Sequence, residues 1–359
     1  MRFGVVIAPK IDDWAIFKYA EDLGFDVAWA CDSQMLWSDC YATLALAAAN
    51  TSKIALGPGV AAAGTRIAPV TAHSIASISK LAPGRTMIAV GTGHTSMRVM
   101  GQKPMQILDL AQYVRDLRSL LSGEDTEVSY AGRSAYTRFL NRDHGFVDLE
   151  NPIPIVVGAN GPRALEVAGA LGDGLMTIAA TRPDEVHATL ESVRAGASDA
   201  GRVIPDDFTV TSMTNVVVLE PGELVTSDRV AHLTDSWVGA AIHFAYEMWL
   251  TRRDDAVVPP PFRSFWEEYC SYVDGMITPL DRRYLQVHDG HATFLPPAER
   301  RFLTEDAIRA VTIIGSVDEI VEQVKAAKVA GVTELAIQSP LASARQVMRD
   351  FAEKVRPCL

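Results

Sequence analysis

The sequence predicts an α/β protein folded as a single (β/α)8 barrel, and three observations carry that expectation. Short apolar, β-branched runs alternate with segments of helical periodicity along most of the chain. The runs are continuously apolar rather than alternating, which is how strands buried on both faces of a parallel sheet read. Eight such runs are present, the number that closes a barrel. An open doubly wound sheet uses the same elements, but no GxGxxG follows the first strand.

In chain order, Arg2–Ala8 reads as the first strand and Asp12–Leu23 as its helix. Val27–Asp32 is the second strand, followed by the Ala/Leu-rich helix Cys40–Asn50. Lys53–Val60 and the helix Ala68–Leu81 come next, then Thr86–Gly93 and a helix near Met105–Leu121. Pro154–Asn160 and Gly174–Ala180 are the fifth and sixth strands, with the helix Pro162–Leu171 between them. The helix Pro183–Ala200 leads to the seventh strand, Phe208–Val218, and the helix Val317–Ala330 to the eighth, Thr333–Gln338.

Two stretches break the alternation, so the barrel domain spans 1–359 with two insertions. Residues 124–151 hold a hairpin turning at Ala131-Gly132. Residues 219–312 are helical in character and carry ten aromatic residues between Trp237 and Tyr284. Two readings fit that enrichment: the insertion's own core, or an apolar lid over a ligand pocket.

A formal charge of −11 argues against nucleic acid or an anionic membrane as the main partner. The four cysteines, Cys31, Cys40, Cys270 and Cys358, form no CxxC pair and no dense framework, which fits a reducing cytoplasm. The N-terminus reads directly as a strand rather than a signal peptide, and no apolar run is long enough to span a bilayer.

In such barrels chemistry sits at the C-terminal ends of the strands. Those ends are Asp32-Ser33, Gly59-Val60, Gly91-Thr92-Gly93-His94, Gly158-Ala159-Asn160-Gly161 and Ala179-Ala180-Thr181. After the fifth strand, Pro162 stands at a helix N1 position, so the amides around Gly161 form a ready anion site; the same stretch also reads as a plain βα turn with good capping residues. His73 falls on a helix and reads as structural, and the HxxH of His288 and His291 reads as surface loop with no metal site, for want of acidic partners at metal-ligand spacing.

The segment GANGPRALEVAGALGDG, Gly158–Gly174, resembles a signature of luciferase-like monooxygenases and methylenetetrahydromethanopterin reductases. Further segments resemble the same family in the same order: WACDSQMLW at Trp29–Trp37, Leu56–Arg85, AVGTGH at Ala89–His94, and Ile314–Ile320. The resemblance implies a barrel of the bacterial-luciferase-like type that runs redox chemistry with a flavin or deazaflavin. It implies hydride transfer between coenzyme F-420 and an organic substrate. The alternatives are an FMN-dependent monooxygenase acting on an apolar substrate and a flavin-binding protein without turnover, and the fold alone does not separate these.

The resemblance also assigns residues. Gly161, Pro162 and the neighbouring amides, with Arg163, are expected at the cofactor's phosphate-bearing tail. Asp32, Ser33, Gly59, Val60, Gly91, Thr92, Gly93 and His94 are expected around its ring, with a non-prolyl cis peptide at Gly59-Val60, and Gly158, Ala159 and Asn160 belong to the strand-five turn near the tail. His94 and Asp32 are the catalytic candidates; for Asp32 the structural alternative is a helix cap or an arginine partner. Ser33 stands where a subset of deazaflavin relatives has His, and His94 where an acidic residue is usual. The family also implies a homodimer, for which Thr43–Ala49, TLALAAA, offers a small apolar helix face; burial of that face against the barrel is the alternative.

Overall fold

The computed structural model describes residues 1–359. The strands are β1 (Arg2–Ile7), β2 (Val27–Ala30), β3 (Ala55–Pro58), β4 (Ala61–Ala62), β5 (Ile88–Gly91), β6 (Thr126–Tyr130), β7 (Arg133–Thr137), β8 (Ile155–Gly158), β9 (Gly174–Ile178), β10 (Thr209–Val218), β11 (Thr312–Gly315) and β12 (Glu334–Gln338). Nine of them pair in the order β3-β2-β1-β12-β10-β9-β8-β5-β4, with β11 added alongside β10. The Leu56 amide donates to Arg85 and the Met87 amide to the Leu56 carbonyl, tying β3 to the chain entering β5. The sheet is therefore a nearly closed parallel barrel.

All eight predicted strands are present. The structure adds two more, β4 and β11. The latter begins at Thr312, directly after the helix Glu305–Val311, with no turn residue between them. A four-residue apolar run that abuts a helix has no punctuation to separate it, so periodicity merged it into the insertion. The helices 40–50, 68–81, 162–171 and 317–330 have the expected bounds. The hairpin turns at Ala131 and Gly132, both at positive φ, as a two-residue turn requires.

By packing, the chain forms two compact units, 1–212 with 327–336, and 213–326 with 337–359; β10 and β12 run through both. In the first unit the hairpin β6–β7 is mostly exposed, whereas the barrel strands are largely buried, and residues such as Ile88, Val90, Val157 and Leu175 form one core with Leu110, Val114 and Leu117 of the helix Ile107–Leu121. The helices 162–171 and 183–199 cross closely. A Cβ on Gly169 would stand 1.8 Å from the Val193 carbonyl oxygen, and one on Gly196 2.1 Å from that of Glu166. At the entry to β12 the buried Glu334 carboxylate accepts from Trp29 Nε1 at 2.8 Å and from Thr211, and pairs with Arg2.

In the second unit the helix Asp228–Arg252 starts at Ser227, whose hydroxyl accepts from the Val230 amide, and stops at Arg253 in the left-handed region. Asn215 and Trp237 donate to the carbonyls of Leu233 and Val311, fixing β10 and β11 to their helices. The aromatic residues pack on one another: Tyr269 and Phe302 rings lie 5.1 Å apart, Phe265 and Phe302 5.4 Å, Tyr246 and Tyr269 5.7 Å. These contacts give the insertion an aromatic core of its own. No helix is long and apolar enough to cross a membrane.

Candidate active site

The predicted site residues lie at the C-terminal ends of β2, β3, β5, β8 and β9. Asp32 follows β2 and is buried. Its Oδ1 accepts from Gln34 Nε2 at 2.7 Å and from Arg66 at 3.1 Å; its Oδ2 accepts from the Ala62 amide at 3.1 Å and from Arg66 at 3.0 Å. Arg66 also binds Asp39 at 3.0 Å and lies over the Tyr41 ring, 4.6 Å from its centroid. Burial pushes the Asp32 carboxyl above the ordinary aspartate range, against the opposing pull of the Arg66 guanidinium and the Ala62 amide. The arginine partner foreseen as a structural role for Asp32 is thus Arg66. Ser33, next to it, is half-buried.

The Gly59-Val60 peptide is cis, as expected. The Gly59 amide donates to the Ala30 carbonyl at 2.8 Å, which seats the peptide against β2. From there the Val60 side chain occupies the space beside two other predicted positions. A Cβ on Gly158 would stand 2.6 Å from Val60 Cγ1, and one on Gly91 3.1 Å from Val60 Cγ2. Glycine at both positions is what admits Val60.

Ala62 forms the second link. Its amide binds Asp32, β4 places it opposite Gly91, and its methyl group lies against Gly93, where a Cβ would meet it at 3.1 Å. Gly93 has φ +74 and caps the short helix His94–Arg98. His94 is half-buried, with both ring nitrogens shielded from bulk solvent, and Thr92 accepts from the Met105 amide through its carbonyl. Asp32, Gly59-Val60, Gly91, Gly93 and Gly158 therefore meet through two residues, Val60 and Ala62.

After β8, Ala159 is buried and Asn160 bridges to β9, its Oδ1 accepting from the Ile178 amide at 2.8 Å and from Thr177 at 3.0 Å. Gly161, Pro162 and Arg163 are exposed at the start of the helix 162–171, which no side chain caps. Nothing lies within 4 Å of where a Gly161 Cβ would stand. The rest of the signature segment is structural: Asp173 accepts from the Ile155 amide and pairs with Arg118, both at 2.9 Å, while Gly169 and Gly174 admit close neighbours.

Sequence reasoning did not single out Ala62 or Arg66; Ala179, at the sixth predicted strand end, is at φ +55 beyond β9, which the sequence did not disclose. Ala62 has no compositional signal. Arg66 stands between a glycine-rich turn and a helix, and only the buried carboxylate opposite reveals its task. In the other direction, His288 is buried in the second unit, not in a surface loop as its HxxH setting suggested. The turn after it folds back at positive φ through Gly290 and Ala292, which the sequence alone does not disclose.

Residues 12–334 match the model of the luciferase-like monooxygenase family. The chain is 32% identical over 211 residues to 5,10-methylenetetrahydromethanopterin reductase of Methanolobus tindarius, covering 56% of this chain and 61% of the relative. It is 33% identical over 196 residues to an F-420-dependent hydroxymycolic acid dehydrogenase of Mycobacterium tuberculosis, covering 51% and 52%. The chain thus spans about half to three fifths of the length of these relatives. Its fold matches that of a coenzyme F-420-dependent tetrahydromethanopterin reductase from Methanopyrus kandleri, with a TM-score of 0.68, 22% identity and 99% of each chain covered. With these matches on the site and barrel just described, the chain belongs to the luciferase-like monooxygenase family.

Proposed function

We propose that the protein is an oxidoreductase that moves hydride between coenzyme F-420 and a small organic substrate. The observation that carries this reading is the cluster in which Val60 and Ala62 join Asp32, Gly91, Gly93 and Gly158 beside His94. The reductase and dehydrogenase named above support it further. The residues present fit such a group: Gly161 has open space, and the helix behind it has an uncapped start with Arg163 alongside.

When bound, the deazaflavin supplies the hydride carrier. Gly161, Pro162 and Arg163 take its phosphate-bearing tail. Ser33, Gly59, Val60, Gly91, Thr92 and Gly93 surround its ring, and Gly158, Ala159 and Asn160 form the strand end that meets the tail. Asp32, held by Arg66, fixes the Ala62 amide and with it the wall that Val60 and Gly93 form. His94 holds or moves a proton at an imidazole nitrogen. The protein works in the cytoplasm as a homodimer. On the helix 40–50, Thr43, Leu44, Ala47 and Ala48 are buried within the chain, and Ala42, Leu46 and Ala49 remain exposed as the pairing face.

Titrating purified apoprotein separately with coenzyme F-420 and with FMN tests the reading. Tighter binding of F-420 supports it. Tighter binding of FMN transfers the site to monooxygenase chemistry. Binding of F-420 without redox turnover across a panel of alcohols, aldehydes and enones leaves a binding protein only, and affinities weaker than about 1 mM for both overturn the cofactor assignment. Sedimentation as a monomer at micromolar concentration would remove the dimer.

A further inference from the structure

We propose that His243, His288 and His291 form a binding site for a divalent transition metal of the zinc type, an inference independent of the function proposed above. All three lie in the second unit, and one ligand atom from each comes within 4.8 Å of the others. His243 and His288 are both buried. The rings lie close together: the centroids of His288 and His291 are 5.4 Å apart, those of His243 and His288 6.2 Å, and those of His243 and His291 6.3 Å.

The outer contacts decide which nitrogen points inward. His243 Nε2 lies 2.8 Å from Glu299 Oε2, and His288 Nε2 lies 2.7 Å from Glu247 Oε1. Each imidazole that donates through Nε2 to a carboxylate keeps its lone pair on Nδ1. Those two Nδ1 atoms are buried and make no hydrogen bond. An imidazole locked by a carboxylate on its far nitrogen is the arrangement in which histidine ligates zinc. Buried polar atoms without partners are costly, and a metal would satisfy both at once.

The two carboxylates that hold these rings, Glu247 and Glu299, are themselves buried. Tyr272 donates a further hydrogen bond to Glu299 Oε1 at 3.2 Å, holding that carboxylate in place. The ligands come from a helix on one side and a turn on the other. His243 and Glu247 are one helical turn apart on the helix 228–252, whereas His291 is half-buried in a turn with Gly290 at φ +75 and Ala292 at φ +50. Zinc–nitrogen bonds of about 2.0–2.1 Å set tetrahedral ligands roughly 3.4 Å apart. Reaching that spacing from 4.8 Å requires the His291 turn to move inward on metal binding. Three imidazoles leave a fourth position for water or an anion.

The test uses the tag-free chain, stripped with a chelator and titrated with Zn2+ and with Co2+ against a chromophoric competitor. The expected result is one metal ion per chain, a tetrahedral visible spectrum for the Co2+ form and a Zn2+-dependent rise in Tm. His291→Ala, at a half-buried position where folding is least at risk, should weaken binding about 100-fold, and Glu247→Gln about 10-fold or more. His187→Ala, on an exposed helix face, should change nothing. Sub-stoichiometric binding by the wild-type protein, or equal affinity in wild type and in a folded His291→Ala variant, would overturn the site.

Discussion

Val60 fills the space that a side chain on Gly158 would need: a Cβ there would lie 2.6 Å from Val60 Cγ1 and 3.4 Å from the Val90 carbonyl oxygen. Gly158→Ala should therefore destabilise the first unit by about 1–3 kcal/mol, the cost of overpacking. Adding Val60→Ala should recover part of that loss, since the two positions share one volume. Urea denaturation of both single variants and the double variant measures the coupling. Additive losses would show that the contact does not set the identity of residue 158.

The Arg66–Asp32 pair yields a second prediction. Arg66 reaches both Asp32 oxygens, and removing it by Arg66→Gln leaves a buried carboxylate with only Gln34 and the Ala62 amide. The expected cost at pH 7 is about 3 kcal/mol. The sign of its pH dependence follows from Asp32. Its carboxyl already sits above the unfolded value because of burial, and losing Arg66 raises it further. A group raised in the fold favours the folded state below the folded pKa and loses that contribution as pH rises through it. The deficit of Arg66→Gln relative to wild type should thus shrink as the pH is lowered toward 5. A deficit that stays constant with pH would mean that Asp32 keeps its charge in the variant.

Glu21 titrates in the opposite sense. Burial alone would raise its carboxyl, but the amides of Ile54, Lys53 and Ser52 all donate to Oε2 and bring it down to about 2. A depressed acid stabilises the fold above its unfolded value near 4.5 and ceases to do so as pH falls toward 2. With allowance for solvent screening, that contribution is about 2 kcal/mol. Glu21→Gln should lose it at pH 7 and converge with wild type near pH 2. Parallel stability curves across that range would rule out Glu21 as the anchor of the 52–54 turn.

Most of the barrel was legible because its signals are local. Continuous apolar runs marked eight strands, and helix bounds such as Cys40–Asn50 and Pro162–Leu171 follow from capping positions and the turns around them. What the sequence hid depends on distance. The β4 strand is two alanines long, and its role arises only when the Ala62 amide meets a carboxylate thirty residues earlier. The imidazole cluster was missed for the same reason, because HxxH supplies two groups and the third comes from His243, 45 residues earlier on another helix. The signature segment carries two kinds of information. Gly161-Pro162 leaves an exposed helix start, whereas Gly169 and Asp173 serve packing, so resemblance across the whole segment overstates how much of it addresses a ligand.

The last prediction concerns His94. It opens the helix 94–98 immediately after Gly93, whose left-handed backbone turns the chain at the end of β5. Both imidazole nitrogens are shielded from bulk solvent. If His94 moves a proton during hydride transfer, His94→Ala should lower kcat by about a hundredfold or more, with coenzyme F-420 affinity nearly unchanged. The variant should also lose the pH limb that an imidazole contributes between about pH 5 and 8. His94→Gln separates orientation from proton transfer, because the amide preserves hydrogen bonding and much of the volume but does not titrate. Recovery of kcat in His94→Gln would make His94 a positioning residue. Weakened F-420 binding with kcat intact at saturation would make it a binding contact, and the proton would then have to pass through Asp32, the other ionisable group at the strand ends joined by Ala62.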